Sequence, residues 1–102
     1  MADKPLPKVI YSKRSLANVR TIRGYLLYKF TQREVDNLYN MLSAFERVIV
    51  EFPQLYPLIA NSDNIRRAVL SKQLSVFYTC KKDSLFITAI LDNRMNTFKW
   101  PK

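Results

Sequence analysis

Four basic side chains in the last third of the chain, Arg66, Arg67, Lys72 and Arg94, are the residues best placed to do chemistry. They fall on or just beyond three β-patterned runs, IRRAVL, LSVFYTC and LFITAIL. The last run ends in Asp92-Asn93-Arg94-Met95-Asn96, a polar segment past a buried strand and so a natural position for a site. The sequence holds no histidine and one cysteine. That composition argues against metal-ligand clusters and against Ser-His or Cys-His nucleophile systems, and no metal or cofactor is expected. The single glycine, Gly24, rules out a phosphate-cradling glycine loop. What remains is arginine and lysine chemistry: anchoring phosphates, stabilising a developing anion, or docking an acidic partner. Asp92, the only acid near these residues, reads as a turn residue or a partner of Arg94 before it reads as a general base.

Each of these side chains also has a plain structural reading. Arg66 and Arg67 can be a solvated edge-strand pair that blocks sheet aggregation. Tyr78 reads as a core aromatic with a satisfied hydroxyl. Phe98 and Trp100 either close the end of the core or contact a target. Cys80 reads as a small buried strand residue, since no histidine is present to activate it. Arg94 is expected to be exposed at a strand end, where its replacement would cost no more than about 0.5 kcal/mol.

The elements that must position these residues follow from periodicity. Residues 1–7, with two prolines and no pattern, read as a flexible leader, and 8–102 as a single domain. Val9-Ile10-Tyr11 favours a strand. Leu16, Val19, Ile22, Leu26 and Phe30 form the stripe of an amphipathic helix whose other face carries Arg14, Arg20, Arg23 and Lys29. Gly24 inside it weakens the helix by roughly 1 kcal/mol, with close packing against another helix as the simplest reason for its presence. Thr31-Gln32-Arg33-Glu34 reads as a capping box that starts a second helix, with apolar residues Val35, Leu38, Met41, Leu42, Phe45, Val48, Ile49 and Phe52 and an end at Pro53. Pro53 to Pro57 reads as an extended connection and Asn61-Ser62-Asp63-Asn64 as a polar turn. Leu85 to Leu91 reads as a central strand with both faces largely covered. The fold class is therefore α+β: an N-terminal strand and an antiparallel helical hairpin packed on a small antiparallel sheet, in the order β-α-α-β-β-β.

Charge narrows the partners. Seventeen Lys and Arg against eight Asp and Glu give a formal charge of +9, which favours an anionic partner. One cysteine suits a reducing cytoplasm, and the longest apolar runs fall far short of the ~20 residues a bilayer span needs, so no membrane partner is expected.

Pro53-Gln54-Leu55-Tyr56-Pro57, the Ile65-Arg66-Arg67 strand entry, Phe77-Tyr78 and Leu91-Asp92-Asn93-Arg94-Met95-Asn96 together resemble the RelE/ParE superfamily toxins of type II toxin-antitoxin systems. In that family the last segment often runs Arg-Gln-Asn-Pro, and here Thr97 replaces the proline. The resemblance implies a growth-inhibiting toxin, of a kind associated with plasmid stabilisation, with a cognate antitoxin protein as partner. One branch of the family poisons DNA gyrase. The other is a metal-independent endoribonuclease that cleaves mRNA on the ribosome. Arg66 and Arg94 stand where the nuclease branch carries basic residues, which with Lys72 would make Arg66, Lys72 and Arg94 its catalytic set. Ala68 and Ser75, however, stand where that branch has a lysine and an arginine, and Trp100 stands where it has a tyrosine. Tryptophan stacks on a base but transfers no proton. The resemblance thus favours the gyrase-binding branch, an activity without catalysis, with Arg66, Arg67, Lys72, Arg94, Lys99 and Trp100 as target contacts.

Overall fold

The computed structural model describes residues 6–95. Strand β1 (Lys8–Tyr11) leads into helices α1 (Lys13–Lys29) and α2 (Gln32–Glu51), followed by strands β2 (Ile65–Val69), β3 (Leu74–Cys80) and β4 (Ser84–Asp92) and a short 3-10 turn (Asn93–Met95). The element order matches the one expected from periodicity. No helix among the described residues is long and apolar enough to cross a membrane.

The sheet order is β1-β4-β3-β2. Strands β2, β3 and β4 form the expected antiparallel meander, but β1 lies parallel to β4, with Lys8 opposite Ser84 and Tyr11 opposite Ile87. The sheet is therefore mixed, a correction to the all-antiparallel expectation. The pairing joins the first strand to the last, and no hairpin signal marks so distant a partner. Beyond Ile87 the helix start takes over the edge of β4. Ser12 N-H donates to Ile87 O at 3.0 Å, Ser12 Oγ donates to Thr88 O at 3.1 Å, and Asn18 Oδ1 accepts from Ile90 N-H at 3.0 Å. Ser12 Oγ also caps α1 by accepting from Ser15 N-H.

A bulge sits in the middle of the sheet. Phe77 opposes Ala89 and Tyr78 opposes Ile87, which leaves Thr88 as the extra residue of β4. The core-facing positions accordingly run Leu85, Ile87, then Ile90 and Asp92, all buried, while Leu91 turns outward. Only one face of β4 is covered, because both helices lie on the same side of the sheet. Val19, Ile22 and Leu26 of α1 and Val35, Leu38, Leu42, Phe45 and Ile49 of α2 close that side against Ala68, Leu74, Val76, Tyr78, Leu85, Ile87 and Ile90. Leu16 and Phe30, expected on the buried stripe, are instead about half exposed, and Ser15 takes a buried position.

Two local expectations fail for identifiable reasons. Nothing lies within 4 Å of a Cβ built on Gly24, so this glycine faces open space and packs against no helix. Thr31 does precede α2, but its side chain makes no capping bond, and Glu34 does not reach back; it turns to Arg94. The α2–β2 connection is held by backbone pairing. Leu58 bridges Arg66, Ile59 N-H donates to Ile65 O, and Arg67 N-H donates to Pro57 O, which covers the outer edge of β2. Asn61, the one described non-glycine residue with positive φ (65°), turns the chain back, as an asparagine tolerates.

Tyr78 is the fully buried centre of an aromatic cluster with Phe45 and Tyr56, at ring separations of 5.5 and 6.4 Å. Its hydroxyl donates to Pro53 O at 2.7 Å, tying β3 to the end of α2. Burial pushes its phenol from the ordinary 10.0 up to about 12. Tyr78→Phe should cost about 1 kcal/mol at neutral pH, since the Pro53 carbonyl loses its donor. The neutral phenol favours the folded state, so that part of the stability is complete below pH 10.0 and is lost as pH rises through about 12. Urea unfolding of wild type and variant should therefore converge across that window, and a constant difference would refute the assignment.

Candidate functional site

The four described candidate cations sit in four different environments. Arg66 shares the core-side face of β2 with Ala68, and its Nη1 donates to Tyr56 O at 2.7 Å and to Gln54 O at 3.4 Å. It fastens the α2–β2 connection, a structural task that differs from the solvated edge pair expected. Arg67 points to the opposite, helix-free face, where its guanidinium lies 5.9 Å from the Phe77 ring centre and Nη2 donates to Ser75 Oγ at 3.4 Å. Lys72 is exposed on the β2–β3 turn, whose backbone is steadied by Asn93 Nδ2 donating to Lys72 O at 2.9 Å. Lys99 and Trp100 lie outside the described residues.

Arg94 differs most from its expectation. Its Nε donates to Asp92 Oδ1 at 3.1 Å and its Nη2 to Asp92 Oδ2 at 2.8 Å, a two-pronged fork on a carboxylate that is fully buried. The remaining prong, Nη1, donates to Glu34 Oε1 at 2.9 Å. The Phe30 ring lies 5.2 Å below the guanidinium, and Tyr25 donates its hydroxyl to Arg94 O at 2.9 Å. The hydrogen bonds to Asp92 outweigh burial and hold the guanidinium's pKa above its ordinary value, with Glu34 adding to the effect. With the side chain only 23% exposed, Arg94 is a clasp between the end of β4 and the tip of the helical hairpin. Asp92 is its partner, the plainer of the two roles open to it. Arg66 and Arg94 are held by separate partners, while exposed Lys72 adjoins the Arg94 turn through the Asn93 bond to its backbone carbonyl.

The open face of the sheet offers a better-formed feature. Register places Arg67, Phe77 and Ala89 in one row and Ser75 and Leu91 in the next. Beside these rows lies a hollow of about 240 Å³ lined by Arg14, Ile59, Ile65, Phe77, Thr88, Ala89 and Leu91. Two cations, Arg67 and Arg14, thus stand beside an apolar floor with Thr88 as a hydroxyl. Arg14 is the residue sequence reasoning missed. It occupies the first turn of α1, and only the parallel seating of β1 beside β4 carries that turn to the open face.

The sequence matches no protein-family model and no curated protein. Solved structures do match in shape. A chain of the chromosomal ParDE TA system from P. aeruginosa aligns with a TM-score of 0.71 at 10% identity, covering 85% of this chain and 96% of that one. The E. coli DinJ-YafQ toxin-antitoxin complex contains a chain that aligns at 0.62 and 14% identity, covering 93% and 100%. YafQ from E. coli strain BL21(DE3) aligns at 0.57 and 15% identity, covering 91% and 99%. The chain has the RelE/ParE toxin fold. At these identities the likeness speaks for the architecture alone; here Arg94, just past the last strand, is bound to Asp92 and Glu34 of its own chain.

Removing Arg94 should therefore destabilise the fold. Arg94→Ala leaves Asp92 buried without a counter-charge, and breaking such a pair costs about 3–5 kcal/mol. Adding Asp92→Asn should cost less in that background than in the wild type, with a coupling energy on the order of 1 kcal/mol or more. Denaturant melts of the two single variants and the double variant measure it. Additive costs, or an Arg94→Ala protein of wild-type stability, would show that the clasp is incidental.

Proposed function

We propose that this protein is the toxin subunit of a type II toxin-antitoxin module, neutralised by a protein antitoxin, and that it inhibits growth by binding DNA gyrase. The observation that carries the proposal is the fold likeness to a chain of the ParDE TA system. The chemistry of the side chains supports the gyrase branch over mRNA cleavage. Cleavage of RNA by its own 2′-hydroxyl needs one group to take a proton and another to give one, each contributing about 10² to 10⁴ in rate. Here histidine is absent, the Tyr78 hydroxyl is buried on Pro53 O, and Arg66 and Arg94 are committed to carbonyls and carboxylates. Lys72 remains exposed, but no acid-base partner is hydrogen-bonded to its side chain among the described residues.

On this reading the open sheet face with Arg67, Arg14 and its apolar hollow meets the target, and Lys72, Lys99 and Trp100 are target contacts on the strength of the family resemblance alone. Binding needs only what these residues provide: charge for encounter and donors for anionic groups, beside Phe77 and Leu91 as apolar contacts. A short acidic antitoxin encoded in the adjacent reading frame would fit the +9 charge.

Purified protein should inhibit gyrase supercoiling and leave mRNA on translating ribosomes uncut. Arg67→Ala, at an exposed position where substitution costs within about 0.5 kcal/mol of stability, should weaken inhibition about tenfold or more, the loss expected for a charge-assisted hydrogen bond of about 1.5–3 kcal/mol. Codon-dependent cleavage would replace the gyrase target with the ribosome. Absence of any growth inhibition on expression without an adjacent antitoxin would sink the toxin assignment itself.

A further inference from the structure

The C-terminal half of α2 carries an apolar face that no described residue covers. Ala44, Val48 and Phe52 follow one another at intervals of four, a ridge of the kind by which two helices interlock. Arg47 and Glu51 form the row beside it, and Leu55 closes that row through the turn in which its N-H donates to Phe52 O. All six are exposed, Phe52 to 60%, Leu55 to 58% and Val48 to 36%. The same six line a hollow of about 540 Å³, and a second hollow of about 350 Å³ shares the Phe52 and Leu55 wall. The charge here departs from the rest of the chain. Against an overall +9, α2 holds four of the eight acids and two cations. The face itself holds one of each sign, Arg47 and Glu51, one turn apart, and among the described residues the only ion pairs are those of Arg94.

We infer that this face is the interface of a two-fold dimer of the chain, with the C-terminal halves of two α2 helices packed antiparallel. A closed two-fold contact uses one patch twice, so the patch must hold a projection together with its recess and charges of both signs. Phe52 is the projection and the hollow beside it the recess. An axis passing beside Val48 sets Val48 against its own copy, Phe52 of each chain against the small Ala44 of the other, and Arg47 of each opposite Glu51 of the other. Other occupants fit less well. Glu51 repels a nucleic-acid backbone, an anionic lipid surface and an acidic protein, and a basic partner would meet a chain of +9. Both helices lie on one side of the sheet, so pairing through α2 leaves the open face with Arg67 uncovered on each copy. The inference goes beyond the toxin reading and does not rest on it.

Sedimentation equilibrium of the full chain tests it. The protein should pass from monomer to dimer as concentration rises. Salt should tighten the dimer, because screening removes more repulsion between two strongly basic chains than attraction between two exposed ion pairs. Phe52→Asp, Arg47→Glu and Glu51→Arg all alter exposed side chains, so each variant should keep the wild-type urea midpoint while its dimer dissociation constant rises about tenfold or more. An equimolar mixture of the Arg47→Glu and Glu51→Arg chains should then recover dimer, since each carries the charges the other lacks. A monomer at every concentration up to about 1 mM, a dimer indifferent to Phe52→Asp, no recovery on mixing, or dissociation by salt would each overturn the inference. The assay involves neither gyrase nor growth, so failure of the toxin assignment and failure of this interface are separate results.

Discussion

The buried carboxylate of Asp92 is the constraint on which the rest of the molecule turns. A charge taken out of water must be matched at once, and the chain does so within two residues. The 3-10 turn Asn93–Met95 folds Arg94 back so that both its backbone N-H and its guanidinium reach the same carboxylate. The one remaining prong then finds Glu34 in the first turn of α2, a position where the helix dipole also favours an acid. Through Phe30 and Tyr25 the same arginine touches the end of α1. The place where two helices meet is thus set by the end of a strand.

Asp92 is buried because of the bulge at Thr88. With strict alternation from Leu85, the core side of β4 would continue through Ala89 and Leu91, and Asp92 would face solvent. One extra residue reverses the parity, sending Leu91 out and Asp92 in. The same reversal puts Ala89 and Leu91 on the open face, where they help floor the hollow beside Arg67. A single inserted residue therefore creates both the clasp that stabilises the hairpin and the apolar surface proposed to meet a target.

What could be read from the sequence was what neighbours along the chain decide. Helical periodicity, Pro53, the polar turn before β2 and the core role of Tyr78 all follow from local pattern, and the element order with them. What could not be read depends on partners far away in sequence. The parallel seating of β1 on β4 has no local signal, so Arg14 gave no hint of reaching the open face. The bulge lies within an apolar strand where alternation is hard to see. The Thr31-Glu34 capping pattern looked complete, yet a half-buried ion pair across 60 residues outcompetes a local cap. Arg66 and Arg94 show the same difficulty for the site, since position along the chain identifies a basic residue but not the carbonyls or carboxylates that occupy it.

Sorting the cations by what they touch changes the meaning of the +9 charge. Arg66 and Arg94 are committed internally, and among the remaining cations two exposed groups face opposite ways: Arg67 on the open side of the sheet and the cations on the outer side of α1. Arg14 belongs to both, standing in the first turn of α1 and at the rim of the hollow. A partner seated on α1 need not cover the sheet to interfere there. By pairing with Arg14, or by extending past the N-terminal end of the helix, it would remove one of the two cations beside the hollow and crowd its mouth. On the proposed function, Arg14 would then be the residue at which partner binding and target binding compete.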